Sequence, residues 1–207
     1  MESAERNKVI EEIVKAEWAF FDLVKNEGGR ADCQNDFGTF QIMRKSQYMT
    51  WENEVLESFL ADLKNAKENG RNLIEEKYAR QMESTDFEAY QKISSYLPVI
   101  SEENQVLIEE IVKIQVKWME EFAEQYPSLA GASRSIHSYE DTTYNTSFET
   151  YLRGELSTYS DNTLYLYGRM IVRYFQEHKN ITELTMENTA KMYGYESLEE
   201  AEQKVGK

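Results

Sequence analysis

Cysteine, histidine, proline and glycine are all scarce in this 207-residue chain, at 1, 2, 2 and 9 copies, and each scarcity removes a class of structure or chemistry. One cysteine cannot close an internal disulfide, so the core has to hold without staples. One cysteine and two histidines make a poor ligand inventory for zinc. Carboxylate-bridged di-iron bundles use inward-facing Glu-x-x-His pairs. Here the residues three before His137 and His178 are Arg134 and Phe175. Magnesium held by carboxylates alone beside a phosphate substrate stays open. No metal and no cofactor is assigned. Neither GxxxxGK[ST] nor GxGxxG occurs, which excludes the standard nucleotide loops.

Long apolar runs are missing too: none approaches the roughly 18 residues of a membrane helix. The opening MESAERNKVIEEIVK mixes acids and bases instead of a basic then apolar signal segment. Basic residues are outnumbered 23 to 38, for a formal charge of -15. That balance argues against nucleic acid and against an anionic membrane as partners, since both select basic surfaces. The expectation is a soluble cytoplasmic protein folded as one domain over 1–207.

What the chain does have is aromatic residues, 13% with 14 tyrosines, so much of its interior consists of rings whose hydroxyls need partners. Apolar residues recur at spacings of three and four between the few glycines and prolines, an all-α signature. The spacing predicts a single-domain helical bundle of about eight to ten helices. The first runs from about Ala4 to Glu27 and stops at Gly28. A second spans about Asp36 to Asn69 and stops at Gly70, and a third runs from Arg71 to about Glu83. A Thr85/Glu88 capping box opens a fourth that ends before Pro98, and Ser101 caps a fifth that lasts to Tyr126 and Pro127. Residues 128–145 lack a clean period and read as a long loop. Thr146/Glu149 then opens a helix to about Tyr159, and Asp161 caps one to about His178. Thr185 starts another that Gly194 stops, and Ser197/Glu200 starts a short last one.

Charged residues interrupt the apolar stripes: Glu17, Arg44, Asp62, Glu76, Arg80, Glu149 and Arg153. A buried charge costs several kcal/mol unless paired, so this mixed-sign set is either a structural ion-pair network or the wall of a polar pocket between helices. Arginine suits carboxylates and phosphates. If the helix ends at Gly28 and Gly70 lie close together, Arg30 and Arg71 form an anion clamp; glycine before arginine is equally a plain helix stop. Cys33, after Arg30 and before a helix start, is a weak candidate for a reactive thiol, because no partner base can be placed beside it.

The strings AEWAFFDLVKNEGGRADCQ, MRKSQY, GRNLIEEKYARQMEST and SFETYLRGELSTY together resemble a bacterial family catalogued as a domain of unknown function, over about Glu11 to Glu202. Positions that match include Glu17, Arg30, Cys33, Gln34, Arg44, Gln47, Arg71, Asn72, Glu76, Lys77, Tyr78, Arg80, Glu149, Tyr151, Glu155 and Tyr159. The resemblance implies no activity; it does imply a nucleotidyltransferase-like domain as a possible neighbour. The leading expectation is a binding protein or enzyme for an anionic small molecule. In it Arg30, Arg44, Arg71, Arg80 and Arg153 hold the anion, Gln34, Gln47, Asn72, Tyr78 and Tyr151 give specificity, and Glu17, Glu76 and Glu149 orient the arginines or act as acid or base. The alternative is a non-catalytic helical interaction module with a protein partner, or a homodimer.

Overall fold

The computed structural model describes residues 1–26 and 29–206. Among these residues it is all-α, with eleven α-helices where eight to ten were expected. They are α1 (Ser3–Leu23), α2 (Phe37–Tyr48), α3 (Asn53–Glu68), α4 (Leu73–Thr85), α5 (Phe87–Ile93), α6 (Glu102–Gln125), α7 (Pro127–Gly131), α8 (Phe148–Leu156), α9 (Asp161–Gln176), α10 (Ile181–Met192) and α11 (Leu198–Val205). No helix of the described residues is long and apolar enough to cross a membrane.

The additional helices have physical causes. The stretch expected to be one helix from Asp36 to Asn69 breaks after Tyr48, where no glycine or proline marks it. Trp51 is buried at the elbow, and Arg6 of α1 donates to the Trp51 and Met49 carbonyls at 2.6 and 3.1 Å and to Asn53 Oδ1 at 2.7 Å. The Tyr174 hydroxyl donates to the Thr50 carbonyl at 2.7 Å. Backbone acceptors released by the break are thus satisfied by side chains from α1 and α9, as burial demands. The expected long loop holds α7 and a 3-10 turn at Ser138–Glu140.

Helix α1 ends at Leu23, earlier than Glu27; Glu27 and the expected stop, Gly28, lie outside the described residues. Several caps sit beside the expected residue. Asp86 caps α5 instead of Thr85, Ser147 caps α8 instead of Thr146, and Ser160 caps α9 instead of Asp161. Asn180 starts α10 before Thr185. Asp, Ser and Asn outrank Thr as caps, which accounts for three of these shifts. The caps at Ser101 and Ser197 and the stops at Gly70 and Gly194 stand as expected. At Gly70, φ is +67°, and Arg71 N donates to the Ala66 carbonyl while Gly70 N donates to that of Lys67. That is a Schellman stop, so the Gly-Arg pair is explained by helix termination.

Helix α1 packs on α2, α3 and α4, α4 on α8, and α6 on α8, α9 and α10. One core gathers Ile10, Ile13, Trp51, Leu56, Phe59, Leu63, Leu156 and Ile171. A second, smaller one joins Met119, Phe122, Tyr126, Ala190, Leu198 and Ala201. Helix α6 contributes to both: Ile108, Ile111, Val112 and Trp118 to the first, Met119 and Phe122 to the second.

Candidate functional site

Four charges are buried together where α1, α2, α4 and α8 meet: Glu17, Arg44, Lys77 and Glu155, each under a tenth exposed. Arg44 Nε and Nη2 donate to the two oxygens of Glu17 at 2.9 and 2.6 Å. Its Nη1 donates to Glu155 Oε2 at 3.1 Å and to Gln47 Oε1 at 2.9 Å. Gln47 donates in turn to Glu155 Oε1 at 2.9 Å, and Lys77 Nζ to Glu155 Oε2 at 3.4 Å. The Tyr159 hydroxyl donates to Glu155, and the Tyr151 hydroxyl accepts from Lys77 at 2.8 Å. The Tyr151 ring also lies 4.4 Å from Lys77 Nζ and 4.6 Å from the Arg134 guanidinium.

Two acids therefore face two bases, and the cluster is neutral. Burial alone would raise the Glu155 carboxyl, but Arg44, Lys77 and Gln47 outweigh it and hold the group at about 2. Burial would lower Lys77; Tyr151 and Glu155 outweigh it, and the lysine is raised above its ordinary range. Glu155 and Lys77 are thereby held in their charged forms, so Lys77 offers no neutral amine nucleophile at neutral pH. Lys77 and Glu155 were absent from the expected site although both match the family strings. Each had a signal: Glu155 and Tyr151 lie four apart on α8, and Lys77 lies four before Gln81 on the buried face of α4.

The remaining expected residues sit elsewhere. Gln34 is buried, and its Nε2 donates to the Phe21 and Val24 carbonyls at 2.8 and 3.0 Å, closing the end of α1, while its Oε1 accepts from Ala31 N and Asn26. Arg30 is half-exposed and bonded to Asp22, Asn35 and the Gln34 carbonyl. Asn72 caps α4 and donates to the Phe20 carbonyl at 2.9 Å. Tyr78 is pushed up to about 12, chiefly by burial. Cys33 is exposed. Arg71 holds Glu76 through Nε and Nη2 at 2.8 and 2.7 Å. Arg153 holds Glu109 in the same way at 2.6 and 3.0 Å and also reaches Glu149, which accepts from Ser138 N. Burial would raise Glu149, but the bonds from Arg153 and Ser138 leave it lowered. The arginine heads do not converge on one point: Arg44 is inside the buried cluster, Arg30 is at the end of α1, and Arg71, Arg80 and Arg153 are partly buried at clefts beside α4.

Those last three line open clefts. One, of about 740 Å³, lies among α4, α5, α6 and α8 and is bounded by Arg80, Glu83, Glu109, Arg153 and the segment Leu97–Ile100. A second, of about 300 Å³, shares part of that segment and is lined by Arg71, Arg80, Asp62 and Ser160. Arg80, Pro98, Val99 and Ile100 belong to both walls. Arg80 Nη2 donates to the Pro98 carbonyl at 2.6 Å, and its Nε is buried without an acceptor among the described residues. Burial, incompletely offset by Tyr90 and Glu76, lowers the Arg80 guanidinium below its ordinary value. Among the described residues, no three His, Cys, Asp or Glu side chains are grouped to hold a metal ion.

Comparison with curated proteins finds no match, and comparison with solved structures finds none. The family model described as "Protein of unknown function (DUF4125)" matches residues 7–203. With nearly the whole chain spanned by that model, the chain belongs to this family.

Proposed function

We propose that this chain is a cytoplasmic binding protein for a small anionic ligand, a carboxylate or a phosphate, held in the cleft at Arg80. The observation that carries this reading is the Arg80 Nε, buried in a concave wall with no acceptor among the described residues. A desolvated donor of that kind costs about 1–3 kcal/mol, and a ligand oxygen that reaches it once the Pro98 carbonyl has moved recovers it. The cleft falls within the usual size of small-molecule sites. Arg153, also expected as an anion ligand, lines the same cleft, and Arg71 lines the smaller one. Glu17, Glu76 and Glu149 each accept hydrogen bonds from an arginine and none lines the cleft, so the reading assigns binding and no reaction.

A thermal-shift screen of small carboxylates and phosphates against wild type and Arg80→Gln tests it. A ligand at 100 times its Kd adds about 2.7 kcal/mol to native stability. No shift in wild type, or an equal shift in the variant, sinks the reading.

A second reading, a helical interaction module, is favoured by a different feature. A groove of about 480 Å³ runs between α6 and α9, lined by Leu107, Ile111, Ile114, Tyr165 and Val172, with Tyr165 and Val172 exposed. Its partner is a second copy or the nucleotidyltransferase-like neighbour that the family resemblance implies. Light scattering that stays monomeric, with no co-purification alongside such a neighbour, removes it.

A further inference from the structure

Three of the nine arginines hold one carboxylate through a whole edge of the guanidinium. In Arg44, Arg71 and Arg153, the Nε and Nη2 edge grips both oxygens of one carboxylate: Glu17, Glu76 and Glu109 respectively. In Arg80 the same edge holds no carboxylate among the described residues. Its Nη2 rests on the Pro98 carbonyl, and its Nε has no acceptor. We infer that the ligand of this cleft is a monocarboxylate with an apolar body, taken by Arg80 in the bidentate geometry that Arg44, Arg71 and Arg153 already show; this rests on the anion-binding reading above.

Charge matching separates a carboxylate from a phosphate ester. Two cations line the larger cleft, Arg80 and Arg153, and two acids, Glu83 and Glu109. Arg153 is already spent on Glu109 and Glu149. Among the described residues neither Arg80 nor Glu83 forms a salt bridge, so the lining charges balance and the anion of smaller charge is favoured. A carboxylate supplies one negative charge. A phosphate monoester carries about −1.5 to −2 at neutral pH, so its excess faces Glu83 and Glu109 in a chain of formal charge -15. Planarity points the same way, because the guanidinium edge fits two coplanar oxygens.

The rest of the cleft suits an apolar body. Leu97, Pro98, Val99, Ile100 and Ile108 form one wall, and Val99 is almost fully exposed at 97%. The strap Leu97–Ile100 is fastened at two points: Arg80 to the Pro98 carbonyl, and Gln105 Nε2 to the Ile100 carbonyl at 3.1 Å. A carboxylate that takes the Nε and Nη2 edge displaces the Pro98 carbonyl, and the ligand's apolar body then packs against the strap's inner side.

Isothermal titration with matched pairs tests the inference: hexanoate against hexyl phosphate, and phenylacetate against benzyl phosphate. Wild type, Arg80→Gln, Arg80→Lys and Glu83→Gln are compared. The expected result is that wild type binds each carboxylate at least tenfold more tightly than its phosphate partner. Arg80→Gln abolishes binding. Should that variant fail to fold, Arg80→Lys, which keeps the charge but lacks the two-donor edge, weakens the carboxylates at least tenfold. Glu83→Gln narrows the preference by relieving repulsion of the dianion. Phosphate esters that bind wild type as tightly as the carboxylates, or more so, overturn the monocarboxylate inference and leave the anion-binding reading standing. Binding of neither class, or binding indifferent to both Arg80 variants, overturns both.

Discussion

Arg44 on α2 grips Glu17 on α1 through two nitrogens, at 2.9 and 2.6 Å, while a third nitrogen reaches Glu155 on α8. One guanidinium thereby ties three helices together in the interior. Removing it leaves two buried carboxylates with Lys77 alone to balance them. Breaking a buried pair from one side costs about 3–5 kcal/mol. Arg44→Met is expected to lose at least that much in urea unfolding. Arg44→Lys recovers little, since an ammonium cannot meet Glu17, Gln47 and Glu155 at once. A loss within about 1 kcal/mol for Arg44→Met would show that the cluster contributes little.

The same cluster gives a pH dependence with a defined sign. Glu155 titrates at about 2 in the folded chain against a reference value of 4.5. A depressed carboxyl stabilises the fold above its unfolded value, and that contribution is lost as pH falls from about 4.5 towards 2. The shift corresponds to roughly 3 kcal/mol near neutral pH. Lys77 is raised, so its contribution is complete below its unfolded value and fades only in strong base. Equilibrium unfolding between pH 6 and pH 2 is expected to fall steeply in wild type, and the Glu155→Gln variant to lack that part of the slope. Parallel curves for the two proteins refute the assignment.

Gly154 inverts a common rule. Alanine in place of a mid-helix glycine usually gains about 1 kcal/mol. In α8, however, a Cβ at 154 comes within 3.0 Å of the Lys77 carbonyl and of Gln81 Cγ. Backbone on α4 cannot move aside without separating the helices, and overpacking of this kind costs about 1–3 kcal/mol. Gly154→Ala is expected to lower Tm, and a rise would mean that α4 and α8 are less closely apposed.

His178 offers the opposite case. It ends α9 with φ of 55°, and Lys179 N donates to the Tyr174 carbonyl, so an L-residue occupies the left-handed position that glycine fills after α3 and α10. Replacing it with glycine removes a steric cost of roughly 1 kcal/mol or more. His178→Gly is expected to raise the urea midpoint without changing the slope, and a fall in the midpoint would contradict this.

The helical class, the fifth helix and the stops at Gly70 and Gly194 were legible because periodicity and glycine placement are local signals. The elbow at Met49–Glu52 was not, because its cause is Arg6, some 45 positions away, and Tyr174 beyond it. The site was legible in parts. Glu17 and Arg44 were visible as charges on apolar stripes. Their neutralisation by each other, and the inclusion of Lys77 and Glu155, depend on how α1, α2, α4 and α8 meet, which no local pattern carries. Arg80 was visible as a charged interruption, but its lack of an acceptor is a property of the segment folded against it.

Helix α6 has one further consequence. With Ile111 in the larger core and Phe122 in the smaller, it behaves as a beam common to two rooms. Its 24 residues extend about 36 Å, and neither core can be dismantled without taking away a wall of the other. Calorimetry is therefore expected to show one cooperative transition with matching calorimetric and van't Hoff enthalpies, whereas two resolved peaks would mean that α6 can melt in halves.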